Sequence, residues 1–370
     1  MAVLSKGAAK ISMNNNSIKI CGCIKDVAKY GNVSISTVSN VLNSTKAVSP
    51  ALQERVMDAV HALNYEVNAV ARGLKSGRTN TIAIIVPSIT SIYFPSILES
   101  IQAAADEKGY MVNVFGTEWS LKREKHYIQA LKSQWIDGIL LSSALDTDSA
   151  RAGEYISFLS TLNRNGNPIP VVCFEAAISK DLDAVIVNDM EGIRMAAEHL
   201  ISQGRTKIAY IAAPTKFYMG KQRLKGYKNA LTSHGLPVRK NLIMNGDYSP
   251  RAGYECMKSL LESDTEIDAV VTGNDQMGIG AIRAVLDSGL RIPEDIAVIG
   301  FNDNFPSSLI SPSLSTVKVP KTEMGTMAFD LLLKRLKTPA LPRTLIRLDG
   351  QLVVRKSTDK NAEDKWVLDW

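Results

Sequence analysis

Short β-branched segments alternate with longer amphipathic segments along most of the chain, from Thr81 onward. Strands that alternate with helices of about 10 to 15 residues form βαβ units with right-handed crossovers, and hence open parallel sheets. Because this pattern continues to residue 301, we predict an α/β body of two doubly wound parallel-sheet subdomains, with ligands bound beyond the C-terminal ends of the strands. The strand-like segments are 81–87, 110–115, 138–143, 169–174, 184–188, 207–213, 242–246, 269–273 and 296–301.

The overall composition excludes several classes of protein. With 370 residues, 45% of them hydrophobic, the chain is too long for a small disulfide scaffold and too apolar for a disordered protein. No segment approaches the roughly 18 apolar residues of a membrane-spanning helix, and residues 1–25 lack the apolar centre of a secretory signal. Four scattered cysteines do not make a disulfide framework. These features predict a cytoplasmic protein with reduced thiols.

Sequence motifs for enzyme chemistry are incomplete. A dinucleotide fingerprint needs three glycines, whereas residues 278–283 (GIGAIR) supply two within a predicted helix. The Gly220-Lys221 pair lacks the first glycine and the following Ser or Thr of a phosphate-binding loop. The four histidines are far apart, and Cys21 and Cys23 have no second pair with which to bind zinc. We therefore predict no catalytic residue, no metal site and no cofactor, and we expect the chain not to be an enzyme.

The net charge of +6 is concentrated in one part of the chain. Residues 1–80 contain ten basic and four acidic side chains, whereas residues 81–370 contain 33 of each sign. A basic block joined to a neutral body is typical of a small domain that binds a polyanion. The charge distribution therefore favours a nucleic acid as partner of the N-terminal region.

Residues 23–65 carry the pattern of a small all-α head. A first helical segment breaks at Gly31, a second begins after Ser34 as N-cap and turns Val38 inward, and a third begins at Pro50. This is the layout of a helix-turn-helix domain, whose second helix reads a major groove about 12 Å wide. The predicted base-reading residues on that second helix are Ile35, Ser36, Thr37, Ser39 and Asn40.

The segments that flank these domains are less regular. Residues 1–22 have no hydrophobic periodicity, and we expect a disordered tail there. Residues 66–80 are basic, contain two glycines and are predicted to form a hinge with at most a short helix. Residues 356–370 are predicted to be a C-terminal tail, too short and irregular for a tetramerising heptad segment.

Ordered motifs over residues 24–355 strongly resemble those of the LacI/GalR family of bacterial transcription regulators. In the head and hinge these are Ile24-Lys25-Asp26-Val27-Ala28, the Thr37-Val38-Ser39 and Val41-Leu42-Asn43 runs, Val48-Ser49, Arg55-Val56, Leu63-Asn64-Tyr65, Asn68, Ala71 and Leu74. In the body they include Ile85-Val86-Pro87, Asp137-Gly138-Ile139, Asn188-Asp189, Arg223, Gly226-Tyr227, Asn274-Asp275 and Gly300-Phe301-Asn302-Asp303.

The resemblance implies a homodimeric repressor that binds a near-palindromic operator. In this family a pair of hinge helices inserts a leucine from each subunit into the minor groove, and Leu74 occupies that position. Asn68 and Ala71 match the family in the same segment and are predicted to contact DNA with it. We therefore expect a dimer whose two heads read the two half-sites.

The resemblance also implies a body of periplasmic-binding-protein type, at 81–355, that closes on a small effector. A sugar or sugar phosphate fits best, because polar side chains pair with hydroxyl groups and aromatic rings pack on apolar sugar faces. Two alternatives remain: a catabolite-control regulator that responds to a protein corepressor, and a non-regulatory carbohydrate-binding protein. The predicted effector-binding residues are Ser88, Tyr93, Phe94, Glu175, Arg223, Tyr248, Asn274 and Asn302.

Among the departures from the family pattern, three concern DNA recognition. Asn40 stands where arginine is frequent, which favours adenine over guanine as the contacted base. Gly73 is a poor helix former just before the hinge leucine and costs about 1 kcal/mol relative to alanine, so we expect the hinge helix to fold only on operator DNA. The Tyr30-Gly31-Asn32-Val33 turn replaces a more usual Ala-Gly-Val, which bears on the turn geometry.

Overall fold

The structure, a computed structural model, describes residues 23–43, 46–65 and 78–363. The chain divides into two compact units, Met1–Gly77 and Arg78–Trp370. Among the described residues, no helix has both the length and the apolar character needed to cross a membrane. The predicted tail at 1–22 and most of the predicted hinge lie outside the described residues.

The head consists of three helices around a small apolar core, as predicted. The helices are α1 (Ile24–Tyr30), α2 (Ile35–Asn43) and α3 (Pro50–Ala62). Val27, Val38 and Val56 are fully buried, and one comes from each helix. Each helix is too short to be stable alone, so this shared core holds the domain together.

The first lobe of the body is a six-stranded parallel sheet covered by helices. Its strands are β1 (Thr81–Val86), β2 (Met111–Gly116), β3 (Gly138–Leu141), β6 (Val171–Phe174), β7 (Asp183–Val187) and β13 (Leu345–Leu348), and they lie in the order β13-β7-β6-β3-β1-β2 across the sheet. The central strands are buried on both faces, which explains their continuous apolar sequences. Strands β4 (Asn163–Arg164) and β5 (Asn167–Pro168) form a separate hairpin. The helices of this lobe are α4 (Pro95–Glu107), α5 (Leu121–Ser133), α6 (Ala152–Ser160) and α12 (Lys321–Lys337).

The second lobe repeats this architecture with a four-stranded parallel sheet. The two-subdomain fold class predicted from the alternating pattern is therefore confirmed. The strands of the second lobe are β8 (Ile208–Ala212), β9 (Ile243–Asn245), β10 (Ala269–Thr272) and β11 (Ala297–Ile299), in the order β11-β10-β8-β9 across the sheet. Its helices are α7 (Asp189–Ser202), α8 (Tyr218–Ser233), α9 (Pro250–Leu261), α10 (Asp275–Asp287) and α11 (Pro306–Leu309).

The chain passes between the two lobes several times. It leaves the first sheet after β7, returns through α12 to β13, and then crosses back to the second lobe. Two short antiparallel strands, β12 (Thr316–Lys318) and β14 (Gln351–Val353), pair at these crossings. This connectivity makes each lobe discontinuous in sequence.

The boundaries of the body differ from the predicted 81–355. At the start, the Asp137 carboxylate accepts hydrogen bonds from the backbone N–H groups of Thr79 and Asn80, both at 2.9 Å. At the end, Ser357 is fully buried, and its carbonyl accepts a hydrogen bond from Val298 of β11. The first residues of the predicted C-terminal tail are therefore part of the packed second lobe.

The GIGAIR segment lies inside α10, as expected for a packing motif rather than a nucleotide loop. A Cβ atom at Gly280 would lie 1.9 Å from the carbonyl oxygen of Pro250 on α9. Real Cβ contacts are never this short, so the glycine allows two helices to pack closely.

Candidate functional site

The second helix of the head begins at a side-chain cap. The Ser34 hydroxyl accepts a hydrogen bond from the Thr37 backbone N–H at 3.0 Å and contacts the hydroxyl groups of Ser36 and Thr37 at 2.7 and 2.8 Å. Such a cap satisfies one of the free N–H groups at a helix start. It also holds two predicted base-reading hydroxyl groups in defined positions.

The predicted base-reading residues differ in how exposed they are. Ile35 is 46% exposed and Ser36 is exposed, whereas Thr37, Ser39 and Asn40 are half-buried. Val38, on the opposite face, is fully buried in the core of the head. The helix therefore presents its N-terminal residues outward while its other face packs inward, which is the orientation that major-groove recognition requires.

An arginine on α3, for which the sequence predicts no role, holds the turn between α1 and α2. The Arg55 guanidinium on α3 donates to the carbonyl oxygens of Gly31 and Asn32, both at 2.8 Å. Asn32 has a φ of 47°, in the left-handed region that asparagine tolerates better than most residues. The unusual Tyr-Gly-Asn-Val turn is thus compatible with helix-turn-helix geometry.

The remaining predicted DNA contacts, Asn68, Ala71 and Leu74, lie outside the described residues. The described head carries four basic and three acidic side chains. Most of the positive charge of residues 1–80 therefore resides in the flanking segments.

A cavity of about 200 Å³ lies between the two lobes of the body. Its walls come from loops that follow β1, β2, β6, β9, β10 and β11 and from the first turns of α8, which follows β8, and thus from the C-terminal edges of both sheets. All eight predicted effector-binding residues line it, so the structure brings together positions up to 214 residues apart in sequence. This is the position at which open α/β sheets bind ligands.

Arg223 in the cavity wall belongs to a buried ion pair. Its Nε lies 2.7 Å from Asp189 Oδ1, and its Nη1 donates to the Gly273 carbonyl oxygen at 2.6 Å. The guanidinium also lies 4.2 Å from the centre of the Phe301 ring. Arg223 was predicted as a hydrogen-bond donor to ligand. Two of its five N–H groups are used within the protein, and the other three have no partner among the described residues.

Glu175 is a buried carboxyl group at the cavity wall. It follows β6, has a φ of 66°, and accepts a hydrogen bond from the Ser142 hydroxyl. Burial raises the pKa of Glu175 to about 7, although hydrogen bonds and the Arg223 charge act in the opposite direction. Near neutral pH this group can therefore accept or donate a hydrogen bond.

Two further polar atoms near the cavity have no hydrogen-bond partner within the described residues. They are the Tyr248 hydroxyl and the Asn302 side-chain oxygen. Asn274, by contrast, is occupied, because its side chain accepts from the Met277 N–H at 2.9 Å and donates to the Tyr248 carbonyl at 3.0 Å. Buried polar atoms without partners are costly, so the first two are suited to bind a ligand.

Aromatic rings from both lobes meet at the cavity. Trp119, which follows β2 in the first lobe, stacks on Tyr248 of the second lobe with ring centres 5.1 Å apart and 12° between the planes. Its ring also lies 4.8 Å from that of Phe217, at the start of α8. The indole therefore spans the cleft and contacts the opposite lobe.

Several residues of this cavity were not predicted from the sequence. The signal for Trp119 was available, because it lies three residues beyond the end of a strand of the sheet. Ser91, Met219 and Gln276 lie within flanking loops or helices, where no local signal separates them from ordinary polar or core residues. The missed lining residues are Thr90, Ser91, Trp119, Met219, Asp247, Ser249 and Gln276.

Two family profiles match this chain. The profile for bacterial regulatory proteins of the lacI family covers residues 23–68, and that for periplasmic binding protein-like domains covers residues 197–358. The HTH-type transcriptional repressor PurR of Pasteurella multocida is 34% identical over 335 residues, which cover 90% of this chain and 98% of that protein. The ribose operon repressor of Escherichia coli is 32% identical over 335 residues, which cover 90% of this chain and 99% of that protein.

A solved structure of the Lac repressor dimer bound to operator and the anti-inducer ONPF is similar throughout. Its TM-score is 0.80 at 29% identity, with 91% of this chain and 99% of that chain covered. A helix-turn-helix head and a two-lobed α/β body, shared with repressors over nearly their full length, define a DNA-binding transcription regulator of the repressor type rather than an enzyme. The chain belongs to the LacI family of bacterial regulatory proteins, which confirms the resemblance seen in its motifs.

Proposed function

We propose that the cavity between the lobes binds a small polyhydroxylated effector that changes the affinity of the head for operator DNA. The observation that carries this proposal is the convergence of eight predicted residues on one cavity that also contains unpartnered polar atoms. Hydroxyl groups of a ligand would pair with Tyr248 and Asn302, and the ring of Trp119 offers an apolar face. A sugar or a sugar phosphate is the predicted class.

Operator recognition is proposed to use the exposed end of α2. Ile35, Ser36 and Thr37 would enter the major groove first, with Ser39 and Asn40 one turn further along. Asn68, Ala71 and Leu74 would contact the minor groove as the hinge forms. The likeness to a repressor dimer on operator supports a homodimer and a near-palindromic site. A cytoplasmic location fits this role.

The experiment that tests the proposal combines DNA selection with a ligand panel. Full-length protein is used to select sites from randomised DNA, and thermal shift is scored against sugars and sugar phosphates. The proposal expects a near-palindromic consensus, and at least one ligand that both raises the melting temperature and changes operator affinity. If no small ligand acts but a protein extract restores regulation, the protein-corepressor alternative is favoured instead.

A further inference from the structure

The turn after β11 brings Asn302 to the cavity in a strained backbone conformation. Asn302 has a φ of 116°, and Asp303 after it has a φ of 50°. Asparagine and aspartate tolerate φ values of about 50 to 70°, but a φ of 116° lies in the region that favours glycine. Such conformations cost free energy and persist only where surrounding contacts hold them. The position of Asn302 at the cavity therefore depends on what holds this turn.

Lys321, the first residue of α12, holds the turn through three oxygen atoms. Its ammonium group donates to the carbonyl oxygens of Asn302 and Asp303 at 3.0 and 2.9 Å, and to the Asn304 side-chain oxygen at 3.3 Å. An ammonium group has three N–H donors, so these three consecutive residues can use all of them. Because α12 packs against α4 and the first sheet, this contact ties Asn302 to the first lobe.

A lysine at this position does not serve the helix that it begins. The N-terminus of a helix carries a partial positive charge, which favours acidic side chains such as Glu323 in the first turn and disfavours a cation. Burial lowers the pKa of the Lys321 amine, although the charges of Asp275 and Asp303 act in the opposite direction. A buried cation at the positive end of a helix is unfavourable by itself, so its contacts with the turn account for its presence.

Other contacts of the turn act on different atoms. The Asn302 N–H donates to the Val317 carbonyl oxygen at 2.9 Å, and the Asn304 N–H donates to Asp275 Oδ2 at 2.6 Å. Lys321 acts on carbonyl oxygens instead. Removal of its ammonium group should therefore release the peptide groups after Asn302 while the N–H groups keep the turn attached to the second lobe.

We infer that Lys321 is a positioning residue of the effector site, which holds Asn302 in the conformation that lines the cavity without itself contacting the ligand. Asn302 is a lining residue, whereas Lys321 is outside the cavity wall. The Asn302 side-chain oxygen is buried and has no partner among the described residues, so it is available to a ligand. The inference rests on the proposed function and deepens it, because it assigns part of the ligand affinity to a residue of α12.

Crystal structures of full-length wild type and Lys321→Met test the hold on the turn without a ligand. Methionine keeps the apolar stem of lysine but has no N–H donor. We expect φ of Asn302 to become negative and its side chain to leave the cavity wall. Lys334→Met, the same change at an exposed position of α12, should leave the turn as it is. If Lys321→Met does not fold, the same result is expected of Lys321→Gln, whose amide is uncharged and one bond shorter.

Calorimetric titration with ribose, glucose, fructose and their phosphate esters tests the role at the site. For each probe that binds, Lys321→Met and Asn302→Ala should weaken binding by similar factors, up to about tenfold for one lost hydrogen bond. The double variant should bind no more weakly than Asn302→Ala alone, because both changes remove the same contact. Lys334→Met should retain wild-type affinity. A lysine with a purely structural role would add its own loss to that of Asn302→Ala.

Three results would overturn the inference: an unchanged turn in the Lys321 variant, wild-type ligand affinity in that variant, or additive losses in the double variant. Failure of every probe to bind the wild-type protein would count against the proposed function, while the crystal structures would still decide whether Lys321 holds Asn302.

Discussion

The head and the body place their functional residues in opposite ways. In the head, Ile35 and Ser36 are exposed and Val38 on the opposite face supports the fold. In the body, Arg223 and Glu175 are buried, and they hold the protein together while they face the cavity. DNA recognition is thus built on a surface that the fold does not need, whereas the cavity is built from side chains on which the fold depends.

This difference determines how variants should be interpreted. A substitution at the tip of α2 changes what the protein binds and little else. A substitution in the cavity wall changes stability and binding together, so loss of a ligand response there is uninformative until the fold has been checked.

The largest effect is expected for the buried ion pair. Arg223→Ala leaves Asp189 charged and unpaired, and should lower the free energy of unfolding by about 3 to 5 kcal/mol. Ile35→Ala in the head should change it by no more than about 0.5 kcal/mol. Urea unfolding measures both. Combining Arg223→Met with Asp189→Leu should recover most of the loss; no recovery would show that the pair is not what Arg223→Ala disrupts.

The next effect is a pH dependence of the free energy of unfolding, which has opposite signs in the head and in the body. Glu175 keeps its proton in the folded state up to a pKa of about 7, whereas an ordinary glutamate loses it near 4.5. Its contribution to stability should therefore fall as pH rises from 4.5 to 7, by at most about 3 kcal/mol. Asp26 in the head accepts a hydrogen bond from the Cys23 N–H, which lowers its pKa, so its smaller contribution is lost in acid instead.

Chemical denaturation across this pH range checks the prediction. The wild-type chain should lose more stability between pH 5 and 7.5 than Glu175→Gln, which has no proton to release. Parallel pH profiles for the two proteins would exclude a raised pKa at Glu175.

An intermediate effect concerns base choice. Asn40→Arg should move the preference at one position of each half-site from A·T toward G·C by about 1 to 3 kcal/mol, because asparagine pairs with adenine and arginine with guanine. The stability of the body should not change. Selection from randomised DNA provides the measurement, and an unaltered profile would mean that Asn40 does not read a base.

The smallest effect is expected at the start of α2. Ser34→Ala removes the cap on the Thr37 N–H and should lower the stability of the head by about 1 kcal/mol, whereas Ser34→Asp should retain the cap. Circular dichroism during thermal unfolding follows the helical signal. Equal losses in both variants would argue that the cap contributes nothing.

Much of the fold could be predicted because its signals are local. Buried parallel strands such as β1 and β10 are short apolar runs, and the Ser34 cap lies next to the helix that it starts. Strand β13 could not be recognised in this way, because as an edge strand it keeps Leu345 and Arg347 exposed. Its place in the first sheet follows from pairing with β7, more than 150 residues earlier in the chain.

The site was predictable to the extent that family motifs marked its residues. The motifs predicted that Arg223 and Asn302 lie at the site, but they did not predict which residues form hydrogen bonds with them. The pairing of Arg223 with Asp189, the contact of Arg55 with the turn and the stacking of Trp119 on Tyr248 all join distant segments. Such contacts depend on tertiary packing, for which a single sequence carries no local signal.

The central claim, that the state of the buried cavity alters the exposed DNA-reading surface, has one direct test. Operator affinity is measured by fluorescence anisotropy on the selected site, with and without a sugar shown to occupy the cavity. Coupling between two sites changes affinity by about 5- to 150-fold, and a change in this range is expected for the wild-type chain. An operator affinity that stays the same while the sugar saturates the cavity would contradict the account.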